Sequence, residues 1–342
     1  MILQNILVTV SAVALVASLS PTQMIIHDFG TASGGTMTTV TGSNVAADAW
    51  IYPDEPKALE TLKKTSTIHA VKAEFLHIND DGSVEQINQS PEMPNGYSQT
   101  VVDTIKAHSN EQYITVSGAL EGTTAAMEQS DATIDKMVAL ADKTGFGIEL
   151  DWEDFGQWDE SYYTHYKQFV QKLASRLHDH GHKLMIDGPP IYDEASQSWY
   201  QWRYEDLNPL VDDIVMMAYD NQFDTGVGNS IAPDDWTKQC LTWLKEKTDG
   251  KGIAGIAAYG YSGNKDNNRI AVNTSDIIKR RAGDLHFSRN SDGEMTAERD
   301  GTFYDYADKQ TMAIRLKQVE ASGLKRASVW SLGSNPWFNE DN

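Results

Sequence analysis

Eight short apolar runs, each followed by a polar or amphipathic stretch, set the tightest limit on what this chain can become. They lie at 49–52, 71–78, 112–117, 145–154, 183–187, 213–219, 252–258 and 326–332. Between the fourth and fifth, Tyr162, Tyr166, Phe169, Val170, Leu173 and Leu177 recur at the three- and four-residue spacing of an amphipathic helix that stops at Gly181. Those aromatics read as core. Helices are also expected at 56–64, 101–107 and 235–247, with Asp131 capping another that runs to 141, and Asn79-Asp80-Asp81-Gly82 is a turn. Strands that alternate with helices make a parallel sheet, and eight such units close into a barrel. The expected fold class is therefore α/β, a (β/α)8 TIM barrel. A length of 342 residues with 40% hydrophobic content suits one such domain, of about 250 residues plus additions. No phosphate loop occurs in the sequence, and its one Gly-x-Gly-x-x-Gly run, 250–255, opens an expected strand where the nucleotide-binding fingerprint would follow a strand and open a helix, which removes the usual nucleotide-binding alternative.

The remaining segments are read by exclusion from that pattern. Residues 1–26 carry no charge, and 6–19 form an apolar run of signal-peptide length, so 1–20 is expected to be a signal peptide or an anchor. Residues 21–46, rich in Thr, Gly and Ser, read as a flexible tether, through which the chain would attach to a membrane or wall. The barrel domain is assigned to 47–342. Within it, 261–308 holds two hairpin signals, Asp292-Gly293 and Asp300-Gly301, and is richer in turns than a barrel loop needs, which marks an insertion between the seventh and eighth strands. A formal charge of -21 opposes nucleic-acid binding, because nothing would neutralise phosphates. Cys240 is the only cysteine, beside Leu241, Trp243 and Leu244, and reads as a buried thiol. The chain is expected to be an exported monomer.

The fourth strand carries the chemistry. Alternation puts Glu149, Asp151 and Glu153 on one face and Ile148, Leu150 and Trp152 on the other. Successive acids would then stand roughly 6–7 Å apart, near enough to raise at least one pKa. A solvated edge strand has the same alternation, but Trp152 and the glycines before the strand argue against it. Phe146-Gly147-Ile148-Glu149-Leu150-Asp151-Trp152-Glu153 resembles the Asp-Gly-x-Asp-x-Asp-x-Glu signature of the family 18 (chitinase-like) glycoside hydrolases, departing from it at Phe146 and Glu149. Further likenesses are Met217-Ala218-Tyr219-Asp220, Ser117-Gly118, Trp330 in Val329-Trp330-Ser331-Leu332-Gly333, and Tyr259-Gly260-Tyr261. The last is similar to the branch that acts on bacterial cell-wall and spore polymers, and the whole resemblance spans 50–337. It implies that the insertion is a small α+β one.

The resemblance implies hydrolysis of β-1,4 bonds in N-acetylglucosamine polysaccharide, with retention and without a metal or organic cofactor. In that family the substrate's 2-acetamido oxygen is the nucleophile. Glu153 would be the general acid, Asp151 would orient the acetamido group, Tyr219 would hydrogen-bond it, and Glu149 would share a proton with Asp151. Asp220, Trp330, Met217, Tyr261, Ser117 and Trp50 complete the expected substrate-binding set. The alternative is a lectin-like protein that binds chitooligosaccharides on the same barrel without cleaving them. His178, His180 and His182 precede the fifth strand, at the far face of the barrel. Trp199, Tyr200, Trp202 and Tyr204 follow it, as core or as a sugar subsite.

Overall fold

The computed structural model describes residues 39–338. In chain order the strands are β1 (Ala46–Ile51), β2 (Ile68–Ile78), β3 (Val84–Gln86), β4 (Glu111–Gly118), β5 (Gly147–Asp151), β6 (Leu184–Gly188), β7 (Asp213–Met216) and β8 (Ile253–Ala257). They are followed by β9 (Gly260–Asn264), β10 (Arg269–Asn273), β11 (Ser288–Arg289), β12 (Met295–Arg299), β13 (Thr302–Tyr306) and β14 (Arg326–Trp330). Eight of them, β1, β2, β4 to β8 and β14, pair in parallel, and the β1–β2 and β1–β14 pairings close the ring. The (β/α)8 barrel is the fold. The short β3 pairs antiparallel with the end of β2. Gly82, at φ +79°, makes that turn possible, because a Cβ there would lie 2.7 Å from the backbone of Ala125 and Ala126.

Outward-facing residues pack on the helices, as Trp152 does on Tyr166 and Phe169 of the helix Glu160–Asp179 at ring-centroid distances of 5.9 and 4.9 Å. The barrel interior is charged where apolar layers are usual. Near the amino ends of the strands, Arg326 forks onto Asp48 at 2.9 and 3.0 Å, Lys183 pairs with Glu111 at 3.0 Å, and the Tyr113 hydroxyl donates to Asp213. One layer up, Lys72 is fully buried beside Glu149 and Ser328. The carboxylates then continue to the mouth.

Between β8 and β14 lies the insertion, a five-stranded antiparallel sheet in the order β10-β9-β13-β12-β11 with the helix Ser275–Ala282. It is clamped to the barrel by Glu294, whose carboxylate accepts from the Ile231 and Ala232 amides at 2.9 and 3.0 Å and pairs with buried Arg315 at 2.7 Å.

Two sequence readings are corrected. The tether expected over 21–46 does not reach 46: β1 starts at Ala46, Val40 and Val45 are buried, and Ser43 and the Asn44 amide bind Glu320 at 2.6 and 2.9 Å. Small residues without periodicity hid these contacts. Residues 1–38, including the expected leader and most of the tether, lie outside the described residues. Asp131 is not a cap either. It sits in the first turn of the helix Ser130–Thr144, whose N-cap is Gln129, and pairs with Lys172 at 2.9 Å. Among the described residues no helix is long and apolar enough to cross a membrane.

Candidate active site

Gly145, in the left-handed region at φ +73°, ends a helix and turns the chain into β5. The strand then aims Glu149 and Asp151 into the barrel, where they stand beside Thr115 and Ser117 of β4 in register. Glu149 is fully buried. Its Oε2 takes the Thr115 hydroxyl, and its Oε1 lies 3.5 Å from the Lys72 ammonium. Asp151, 5% exposed, is the last residue of the strand and reaches the mouth. Burial pushes its carboxyl well above the usual range, and the charges of Glu153, Asp187, Glu149 and Glu74 push further in the same direction.

Glu153 lies just beyond the strand and is half-buried. Its backbone is fixed by the next turn: Trp158 Nε1 donates to the Glu153 carbonyl at 2.8 Å, and Asp154 adopts φ +59°. The Asp154 carboxylate accepts from the Leu120 amide at 3.0 Å and from Gln157 Nε2 at 3.1 Å, which ties the turn to the helix Leu120–Glu128. An acid tolerates this left-handed conformation better than most side chains do.

The opposite rim is aromatic. Tyr219 is buried edge-on against Tyr259, with centroids 6.1 Å apart, and Tyr259 meets Trp330 edge-on at 4.9 Å. Trp330 lies 6.2 Å from Trp50, which stacks on Tyr52 at 5.2 Å. Gly255 makes room for this arc, since a Cβ there would come within 2.9 Å of the Tyr219 ring. Asp220, at φ +66°, accepts from the Tyr259 hydroxyl and from Gln222 at 3.0 Å, and burial pushes its carboxyl up to about 6.

Not every expected residue faces the cleft. The Tyr261 hydroxyl donates to the Asn229 carbonyl at 2.6 Å and accepts from the Gly228 amide at 3.1 Å, so this fully buried residue joins the insertion to a barrel loop. Ser117 donates to Glu74 and lies 2.9 Å from His77 Nδ1, so it orders the wall. Met217 and Trp50 are buried under the rim. Trp202 and Tyr204 are core, whereas Trp199 is 54% exposed against Tyr200. His178 binds Asp212, and His180 and His182 bind Asp142, at the far face.

Sequence reasoning missed Lys72, Glu74, Asp187 and Tyr259. Burial pushes Glu74 up to about 7, and it pushes the Asp187 carboxyl well above the usual range. A signal existed for two of them: Lys72 and Glu74 stand two apart in a strand that is apolar apart from them and two histidines, and so share its inward face.

A mouth of clustered carboxyl groups whose proton affinity is raised by burial, facing an aromatic rim, is suited to proton transfer on a flat polar ligand such as a sugar ring. A family model for glycosyl hydrolases family 18 matches residues 48–335. An uncharacterized glycosylase, YvbX, from Bacillus subtilis (strain 168) is 26% identical over 224 residues, a match covering 58% of this chain and 61% of the relative. Among solved structures, a chitinase from Chromobacterium violaceum superposes with a TM-score of 0.70 at 20% identity, over 85% of this chain and 95% of that one. The Bacillus cereus spore cortex-lytic enzyme SleL gives 0.65 at 16% identity, over 87% and 76%.

Proposed function

Because the chain belongs to glycosyl hydrolases family 18, we propose that it cleaves β-1,4 bonds in N-acetylglucosamine-containing polysaccharide with retention, using the substrate's own acetamido group. Glu153 gives its proton to the leaving oxygen. The acetamido oxygen attacks the anomeric carbon, and Asp151 orients that group and stabilises the positive charge of the cyclised intermediate. Tyr219 holds the acetamido group from the other side, and Trp330 floors the sugar. Glu153 then takes a proton from the water that reopens the ring. The uncharged leader makes export part of the same reading.

The observation that supports this most is Asp151. It ends β5 at the barrel mouth, buried among four other carboxyl groups whose charges favour its protonated form. As positive charge develops on the acetamido group, Asp151 can pass its proton toward Glu149 on the same strand face, and its carboxylate then accepts from the acetamido N–H.

The test compares acetylated and deacetylated chitooligosaccharides of equal length, with purified cell wall alongside, by mapping each cleavage point. Cleavage is expected only where an acetylated unit lies on the non-reducing side of the broken bond. Efficient cleavage after a deacetylated unit would rule out the acetamido nucleophile, and binding with no product from any substrate would move the chain to the non-hydrolytic sugar-binding proteins.

A further inference from the structure

Glu74, Glu149, Glu153 and Asp187 all act electrostatically on Asp151, and the ammonium of Lys72 is buried beside Glu149 and Asp187. Lys72 projects from β2 with its side chain wholly buried. Its Nζ donates to Ser328 Oγ of β14 at 2.5 Å and lies 3.5 Å from Glu149 Oε1 of β5. The other charged groups acting on it are Asp187 of β6 and Asp48 of β1. Glu149 is held from a second side by the Thr115 hydroxyl of β4. Asp151, two residues further along the same strand, is acted on by Glu153, Asp187, Glu149 and Glu74.

We propose that Lys72 is a positioning residue of the hydrolytic site: it keeps Glu149 anionic and turned toward the barrel interior, so that the proton retained by this carboxylate group rests on its neighbours Asp151 and Asp187. The inference depends on the hydrolytic reading above. Glu149 carries one methylene more than aspartate, and that extra length lets its carboxylate reach Thr115 and Lys72. Burial favours the neutral form of each partner, lowering the lysine's proton affinity and raising that of the glutamate. The opposing charge of each offsets this for the other. With Lys72 bonded to Ser328 and acted on by acids from three strands, its charged form is the one these neighbours favour.

The consequence is readable in a pH profile. Carboxyl groups this close titrate as a unit, and removing the one nearby cation raises the unit's apparent pKa values. In Lys72→Met, the acid limb of kcat/KM should therefore move to higher pH by about one unit, a tenfold loss of rate on that limb. The double variant Lys72→Met with Glu149→Gln removes both charges together and leaves neither buried alone, so it should bring the limb back toward wild type. A residue that only fills space predicts an unmoved limb and no restoration by Glu149→Gln.

The experiment records kcat/KM against pH for the wild type, the single variant and the double variant on one acetylated chitooligosaccharide. A wild type that cleaves nothing sinks the hydrolytic reading and this inference with it. With an active wild type, a superimposable limb in Lys72→Met overturns the role of Lys72 alone. Should the single variant not fold, a double variant whose limb lies away from wild type overturns it equally.

Discussion

The backbone at Glu153 is fixed by the Trp158 indole, by the left-handed Asp154 that follows it and, through Asp154, by the amide of Leu120. Replacing only its carboxylate should therefore leave the turn standing. Glu153→Gln is expected to lose about 100- to 10,000-fold in kcat, the usual worth of a general acid, with the melting temperature and oligosaccharide affinity nearly unchanged. A variant that kept most of its activity would assign the proton to another group. At this scale the sequence was a partial guide. Alternation alone turns Glu149 and Asp151 inward, but the partners of Glu149 come from β2 and β4, and pairing between strands distant in sequence leaves no local mark. Tyr261 was misplaced for a related reason: two tyrosines flank Gly260, and only the fold reveals that Tyr259 bonds Asp220 while Tyr261 bonds a loop backbone.

Among the elements, the eight barrel strands were legible because their outward faces are apolar even where the inward face is charged, and because helical patterns separate them. Their ends were not. The strand read at 213–219 stops at Met216, where the chain leaves the sheet to present Tyr219. The start of β1 was hidden because Ala46 and Ala47 continue the small-residue composition before them. That boundary is testable. A chain beginning at residue 39 keeps Val40, Val45 and the Ser43–Glu320 contact, and should fold and hydrolyse as the full chain does. Beginning at 46 removes two buried valines, each worth about 1.5–3 kcal/mol, from a total stability on the order of 5–15 kcal/mol. The expected result is a clear drop in melting temperature for the shorter chain. Equal melting temperatures would return 39–45 to the tether.

For the whole molecule, the charged barrel interior has a consequence that neither catalysis nor packing describes: folding takes up protons. Glu74, Asp151, Asp187, Asp213, Asp220 and Asp305 all have carboxyl pKa values raised by burial, to about 7 for Glu74 and about 6 for Asp220. In the unfolded chain these groups lose their protons near pH 4, whereas the native protein retains them to higher pH. From about pH 4 upward the native state binds more protons than the unfolded state, so stability must fall as pH rises through the native values. His69 and His77, both lowered by burial, work against this in the same range, but they are two groups against six. A net charge of -21 adds self-repulsion in the same direction as the carboxyls. The melting temperature should be higher at pH 5 than at pH 7.5, and calorimetry near neutrality should give an unfolding enthalpy that varies with the ionisation heat of the buffer, as proton release requires. A melting temperature that is flat or rising over that interval would mean the interior acids are already ionised in the native barrel. If it falls as expected, protons are a stabilising ligand for this protein, bound in part at the carboxyl groups that form its cleft.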